Sequence, residues 1–212
     1  MAQQNGDYPV QLSVDYPDRS LDRFSSFFRL FAIIPIFIIL VLVAGGSWGG
    51  ESDSSNWEWT VGVGGILGAA PALMILFRQK YPRWWFDWNV ELTKFSSRVT
   101  AYFFLLRDEY PSTDEEQSVH IDIPYPDVER DLNRWLPLVK WLLAIPHWIV
   151  LCFLWVLAFI VVVIVWFAIL LTGRYPRSMF DFIVGVMRWS LRVEAYAIMM
   201  VTDQYPPFRL DP

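Results

Sequence analysis

The feature that most constrains this chain is an apolar run from Leu136 to Leu171, interrupted by only two ionisable residues, Lys140 and His147. As one helix it would be about 54 Å long, at about 1.5 Å per residue. A bilayer's hydrocarbon core is about 30 Å thick and helices tilt by about 20° on average, so the run is too long for one ordinary crossing. Composition agrees with a membrane setting. Hydrophobic residues make up 55% of the chain, mean hydropathy is +0.33 and only 18% of residues are charged, against about a quarter in soluble domains. The 12 Trp and 16 Phe suit interfacial belts. The polar N-terminal stretch lacks a basic start followed by a short apolar core, so a cleaved leader is not expected.

Self-comparison resolves the organisation. VQLSVDYPD (Val10–Asp18) matches VHIDIPYPD (Val119–Asp127), and LDRF at Leu21 matches LNRW at Leu132. An apolar run containing a proline follows each, with AIIP ending at Pro35 in one and LAIP ending at Pro146 in the other. KYPRWWFDWNVELTKFSSRVTAYFFLLRDEYP (Lys80–Pro111) then parallels RYPRSMFDFIVGVMRWSLRVEAYAIMMVTDQYP (Arg174–Pro206), with one residue inserted near the end. Two tandem modules are expected: residues 1–113, with a Gly/Ser-rich loop over 45–60, and residues 117–212. The second module has no such loop.

The runs Phe27–Ala44 and Val61–Phe77 are each just long enough to span. By correspondence, the run after Leu136 should fold into a hairpin of two short arms with a turn near Phe153–Ala158, covered by neighbouring protein because lipid cannot satisfy its carbonyls. A single long, bent helix is the alternative. All 17 Lys and Arg lie outside the Gly45–Thr60 loop. Basic residues favour the cytoplasmic side, so both hairpins should enter from the cytoplasm and return to it. This places the chain in a bacterial cytoplasmic (inner) membrane, multi-pass, with both termini cytoplasmic and Trp48, Trp57 and Trp59 at the outer interface.

After each Tyr-Pro-Arg the pattern changes. Asp87, Glu91, Lys94 and Arg98 recur at helical steps, and Asp181, Arg188 and Arg192 repeat the stripe. A narrow charged face opposite a broad aromatic one predicts an amphipathic helix lying in the membrane interface. A helix buried against its twin on the cytoplasmic side is the rival reading. A third span would draw charges through the core at about 2.5–3.5 kcal/mol each. Alternation of Val10, Leu12 and Val14, and of Val119, Ile121 and Ile123, predicts short cytoplasmic strands that pair across the two halves. The fold class expected is therefore an all-α integral membrane protein of two tandem transmembrane helical hairpins, each followed by an amphipathic helix, with short β-strands.

The order apolar run–LTGRYPR–FDF–helix–RVEAYA–TDQYPPF resembles the bacterial membrane proteins grouped as domain of unknown function 4389. Leu132 to Phe208 carries the resemblance in nearly full form; the first module carries it more loosely, with FRQKYPR and RDEYPST in the matching places. The resemblance implies a membrane location and no particular activity.

Chemistry is sparse. The formal charge of −5 gives no reason to expect a nucleic-acid partner. A lone cysteine, Cys152, stands in an apolar run and reads as a small buried hydrophobe. No phosphate-cradling loop, nucleophile motif or metal-spaced cluster is present, and neither histidine, His120 or His147, is shared by the two copies. No enzyme activity and no cofactor are expected. The function expected is a non-catalytic membrane accessory or assembly subunit that docks to a larger complex or organises lipid, with membrane lipid and other membrane subunits as partners. Candidate lipid or partner contacts are Arg83, Asp87, Arg98, Arg177, Asp181, Arg192, Trp48, Trp57 and Trp59. An oligomeric channel or transporter, and a heme- or pigment-binding protein using His147, are the alternatives.

Overall fold

The computed structural model describes residues 8–17, 21–22, 28–29, 32–36, 38, 63–113, 115 and 117–211. In chain order the elements are β1 (Gln11–Val14), α1 (Val63–Arg78), α2 (Arg83–Phe103), β2 (Val119–Asp122), α3 (Val128–Asp131), α4 (Pro137–Thr172) and α5 (Arg177–Ala197). The described residues between 28 and 38 are also helical. The loop over 45–60, with Trp48, Trp57 and Trp59, lies outside the described residues.

The two strands form an antiparallel ribbon in which Leu12 faces Ile121. These two residues hold the same place in the matching segments VQLSVDYPD and VHIDIPYPD. The ribbon is therefore its own image under a half-turn through that pair. Each strand then contacts a different long helix, β1 against α5 and β2 against α2.

The long helices α2 and α5 start and stop by the same devices. Pro82 and Pro176 precede them in extended conformation, with ψ of 130° and 126°. Their fixed φ and missing N–H suit the chain to the start of a helix. At the far ends the backbone turns left-handed at Leu105 (φ 62°) and Met200 (φ 56°). Non-glycine residues adopt that region at a cost of about 1–2 kcal/mol. Burial of both side chains, Leu105 at 4% and Met200 at 0% exposure, offsets it.

Two sequence expectations are corrected by the helices. The turn near Phe153–Ala158 does not exist: α4 is one continuous helix through Pro146 and on to Thr172, the alternative weighed above. From His147 to Leu171 there is no Gly, Pro, Asn, Asp or Ser to turn the chain. Breaking the helix there would strand backbone groups in an apolar setting. The helix stops only at Gly173, whose left-handed φ of 71° caps it. The second correction concerns α5, which is encased rather than laid on a membrane surface. Residues 183–187, 189, 191–193 and 195–197 are all buried, because α4 covers one side and the ribbon the other. Arg188 Nε donates to Leu12 O at 3.1 Å across that second contact.

Helix α4 is buried along one stripe only. Lys140, Ala144, His147 and Leu151, then Ala158, Val162, Val165 and Ile169, face the protein at heptad-like steps of three and four. Half-buried residues such as Trp155, Val161 and Trp166 border the stripe, and most of the remaining surface is exposed and apolar, including Phe153 at 72% and Leu171 at 78%. Cys152 sits on that exposed side, contrary to the buried position expected for it. Among the described residues α4 is the one helix long and apolar enough to cross a membrane. An apolar face this extensive is not a surface that soluble monomers carry.

Candidate functional site

The structure brings together, twice, a set of groups that sequence spacing alone did not. At the start of α4, Lys140 is fully buried, with Nζ 2.7 Å from Asp203 Oδ1. The approach is an ion-pair contact more than an aligned hydrogen bond. Lys140 Nζ also donates to Thr202 O at 2.8 Å and lies 5.1 Å from the Tyr196 ring centroid. Asp203 Oδ2 accepts from the Asn133 backbone N–H at 2.5 Å. In the first half Arg29, 2% exposed, pairs with Asp108, donates to Arg107 O at 3.0 Å and lies 4.6 Å from the Tyr102 centroid. Asp108 Oδ2 accepts from the Asp22 backbone N–H at 3.0 Å.

These groups occupy matched places in the self-comparison. Arg29 and Lys140 stand at the same distance before Pro35 and Pro146, and Asp108 and Asp203 at the same distance before a Tyr-Pro. Tyr102 meets Tyr110 edge-on at 5.8 Å, as Tyr196 meets Tyr205 at 5.9 Å. A buried cation is tolerable only when paired and hydrogen-bonded, and each half meets that demand with the same set of partners. We refer to the two sets as latches. Arg29 and Lys140 stand at the entrances of the apolar runs. Their carboxylate partners lie too far along the chain for a local pattern. The signal that could have found them is the recurrence of cation, aspartate and tyrosine in both copies.

A second matched set crosses between the halves. Tyr16 Oη donates to Tyr175 O at 2.5 Å, and Tyr125 Oη donates to Tyr81 O. Tyr81 Oη in turn donates to Met199 O at 2.9 Å, and Tyr175 Oη to Phe104 O at 3.2 Å. Burial pushes both Tyr81 and Tyr175 well above the usual phenol range, so they remain donors. Each half's strand–Tyr-Pro segment thus docks on the other half's Tyr-Pro-Arg.

The candidate contact residues are distributed as follows. Arg83 and Arg177 are exposed and stack over Tyr125 and Tyr16, at 5.2 and 4.8 Å. Asp87 and Asp181 are exposed near the starts of α2 and α5. Arg98 donates to Ser112 O at 2.7 Å. Arg192 is buried, over the Tyr8 ring and within 3.5 Å of Arg209 O. The arginines are thus engaged by tyrosine rings and carbonyls of the same chain.

His147 is enclosed by aromatic rings that the sequence reading missed. It stacks on Phe208 at 4.0 Å and 18°, and its Nδ1 accepts from Trp189 Nε1 at 3.1 Å. An indole N–H can only donate, so Nδ1 carries the lone pair and a neutral ring holds its proton on Nε2. Ligation of a metal through Nε2 would require removing that proton. His120 instead reaches Asp15 across the ribbon at 3.2 Å. No cluster of three or more His, Cys, Asp or Glu placed to hold a metal occurs among the described residues.

One titratable group lies at the contact of α2 with α5. Thr93 Oγ1 donates to Glu194 Oε1 at 3.3 Å, and burial raises the Glu194 pKa. A carboxyl raised in the folded state contributes stability that is complete below its unfolded pKa, about 4.3. That stability is lost as pH rises towards the folded value, at about 1.4 kcal/mol per pH unit between the two. Glu194→Gln keeps an acceptor for Thr93 and removes the titration. We expect the variant to melt above the parent at neutral pH and with it near pH 4, by differential scanning fluorimetry in detergent. Equal melting at both pH values would refute the assignment.

These features define a mostly helical protein with, among the described residues, one candidate membrane helix. Residues 135–209, covering α4, α5 and the Tyr-Pro tail, match the family described as Domain of unknown function (DUF4389). No curated protein and no solved structure matches the chain.

Proposed function

We propose that this chain is a non-catalytic membrane component that organises lipid and presents a surface to a larger membrane assembly. The observation that carries the reading is the apolar face of α4, exposed along the whole helix while the opposite stripe is packed on protein. The polar groups support it from the other direction. The buried cations are consumed in closing each half on itself and the tyrosine clamp in holding the two halves together, which is the economy of a scaffold more than of a catalyst. The recurrence of latch and clamp at matched positions supports a reading of the chain as two tandem modules of one kind, related by a half-turn. The bacterial cytoplasmic membrane, with basic segments and both termini inward, is the location that goes with this function.

The pigment alternative is weakened by the Trp189 hydrogen bond, which commits the His147 proton to Nε2. A channel reading would want ionisable groups lining a path at mid-bilayer. Lys140 and His147, the ionisable side chains of α4, are both turned into protein.

Purification from native membranes in a mild detergent tests the proposal, with mass spectrometry of both protein and lipid in the purified fraction. Stoichiometric co-purification of a membrane protein or of tightly held lipid is the expected result. A lone monodisperse monomer free of both would overturn it.

A further inference from the structure

The exposed face of α4 also limits how the helix can meet a bilayer, and this step rests on the membrane reading above. From Leu138, 60% exposed, to Leu171, 78% exposed, the apolar strip runs about 50 Å at helical rise. Fitting that length into a core of about 30 Å would need a tilt of about 53°, beyond the range of about 0–40° that helices adopt. Letting the ends protrude does not help, because Leu142, Phe167 and Leu171 are among the most exposed side chains and would stand in water.

The packed side of α4 argues the same way. Its buried stripe extends from Lys140 to Ile169, with α5 beside it and the ribbon beyond α5. A crossing α4 would bring α5 with it, and with α5 the exposed Asp181 and the charges of Arg188 and Arg192, which the core disfavours strongly. Basic residues also stand next to both ends of α4. Exposed Arg134 precedes α4, exposed Arg174 and Arg177 follow it, and no Asp or Glu lies between Asp131 and Asp181. Basic residues at both ends place both ends at anionic headgroups of the same side.

We propose that α4 lies in the plane of one leaflet, with acyl chains covering its exposed face and anionic headgroups meeting its basic ends. The order away from the bilayer centre is then α4, α5, ribbon, water. On this arrangement α4 meets the bilayer from one side only, and the encased charges of α5 never enter the hydrocarbon.

The chain's single cysteine provides the probe. Cys152 is exposed near the middle of α4 and accepts a nitroxide label directly. In a Cys152→Ser background, Leu138→Cys, Ile145→Cys, Ile160→Cys and Leu171→Cys extend the set along the exposed face. The full chain is reconstituted into vesicles of phosphatidylethanolamine and phosphatidylglycerol, and label depth is read from relative accessibility to oxygen and to a water-soluble nickel chelate. All five labels are expected about 5–10 Å below the headgroups, with Cys152 no deeper than the helix ends. A V-shaped profile with Cys152 about 15 Å deep at the bilayer centre, or a profile running from one headgroup layer to the other, would overturn the in-plane placement and leave the membrane reading standing. Labels shielded from both reagents would show a second protein surface on the face and overturn it too. Protein that fails to float with the vesicles would overturn both.

Discussion

Asp203→Ala is expected to lower the folding free energy by about 3–5 kcal/mol, the cost of leaving one member of a buried ion pair without its partner. Lys140 has no exposed surface and Asp203 is 20% exposed, so water replaces the lost carboxylate poorly, and Thr202 O satisfies only one of its three N–H groups. The helix start would also lose the acceptor for the Asn133 N–H. Lys140→Met/Asp203→Asn removes the charges while keeping that acceptor, and most of the loss should be recovered, since an apolar replacement of a buried pair is often neutral. Asp108→Ala in the matched latch should cost less, because the Asp108 side chain is 33% exposed and solvent can reach the site it vacates. Denaturant unfolding in detergent micelles measures all three. If Asp203→Ala unfolds within about 1 kcal/mol of the parent, the latch is a bystander and the buried-charge argument fails.

The latches also show where sequence reading succeeds and where it stops. Periodicity placed β1 and β2, and matching segments paired them, because alternation and self-similarity are both local signals. Pro82 and Pro176 marked the starts of α2 and α5 for the same reason. The continuous α4 was legible in principle, since nothing between His147 and Leu171 can turn a chain. Correspondence with a first copy that carries a Gly/Ser loop argued the other way, and local chemistry prevailed over analogy. Burial was not legible at all. The charged stripe of α5 has the pattern of a surface helix, yet Arg192 is 2% exposed, because the ribbon covers that face through contacts almost the whole chain length away, such as Arg188 to Leu12. The latch carboxylates and the ring partners of His147 were hidden for the same reason: no local pattern reports a contact made by a distant tail.

The α5 side chain on which that tail packs carries the second large effect. Trp189→Ala is expected to cost about 3–5 kcal/mol, the range for deleting a buried aromatic side chain and leaving part of its volume empty. Trp189 is 5% exposed and belongs to the cluster of Ala144, Leu151, Val193, Tyr196 and Ala197 that joins α4 to α5. Its ring also meets Phe208 edge-on at 5.4 Å, so truncation loosens the C-terminal tail along with the helix pair. Trp189→Phe separates the two contributions. It keeps most of the apolar volume but withdraws the N–H from His147 Nδ1, leaving a buried acceptor unpaired at about 1–3 kcal/mol. The same variant releases the tautomer, and NMR of the imidazole nitrogens should then show Nδ1–H populated where the parent shows only Nε2–H. Gly185 gives an independent check on the tail, because a Cβ there would come within 2.8 Å of Leu210 Cβ and 3.1 Å of Leu210 O. If Trp189→Ala leaves the unfolding midpoint and the His147 nitrogen signals unchanged, the aromatic enclosure around His147 contributes nothing to holding α4 against α5.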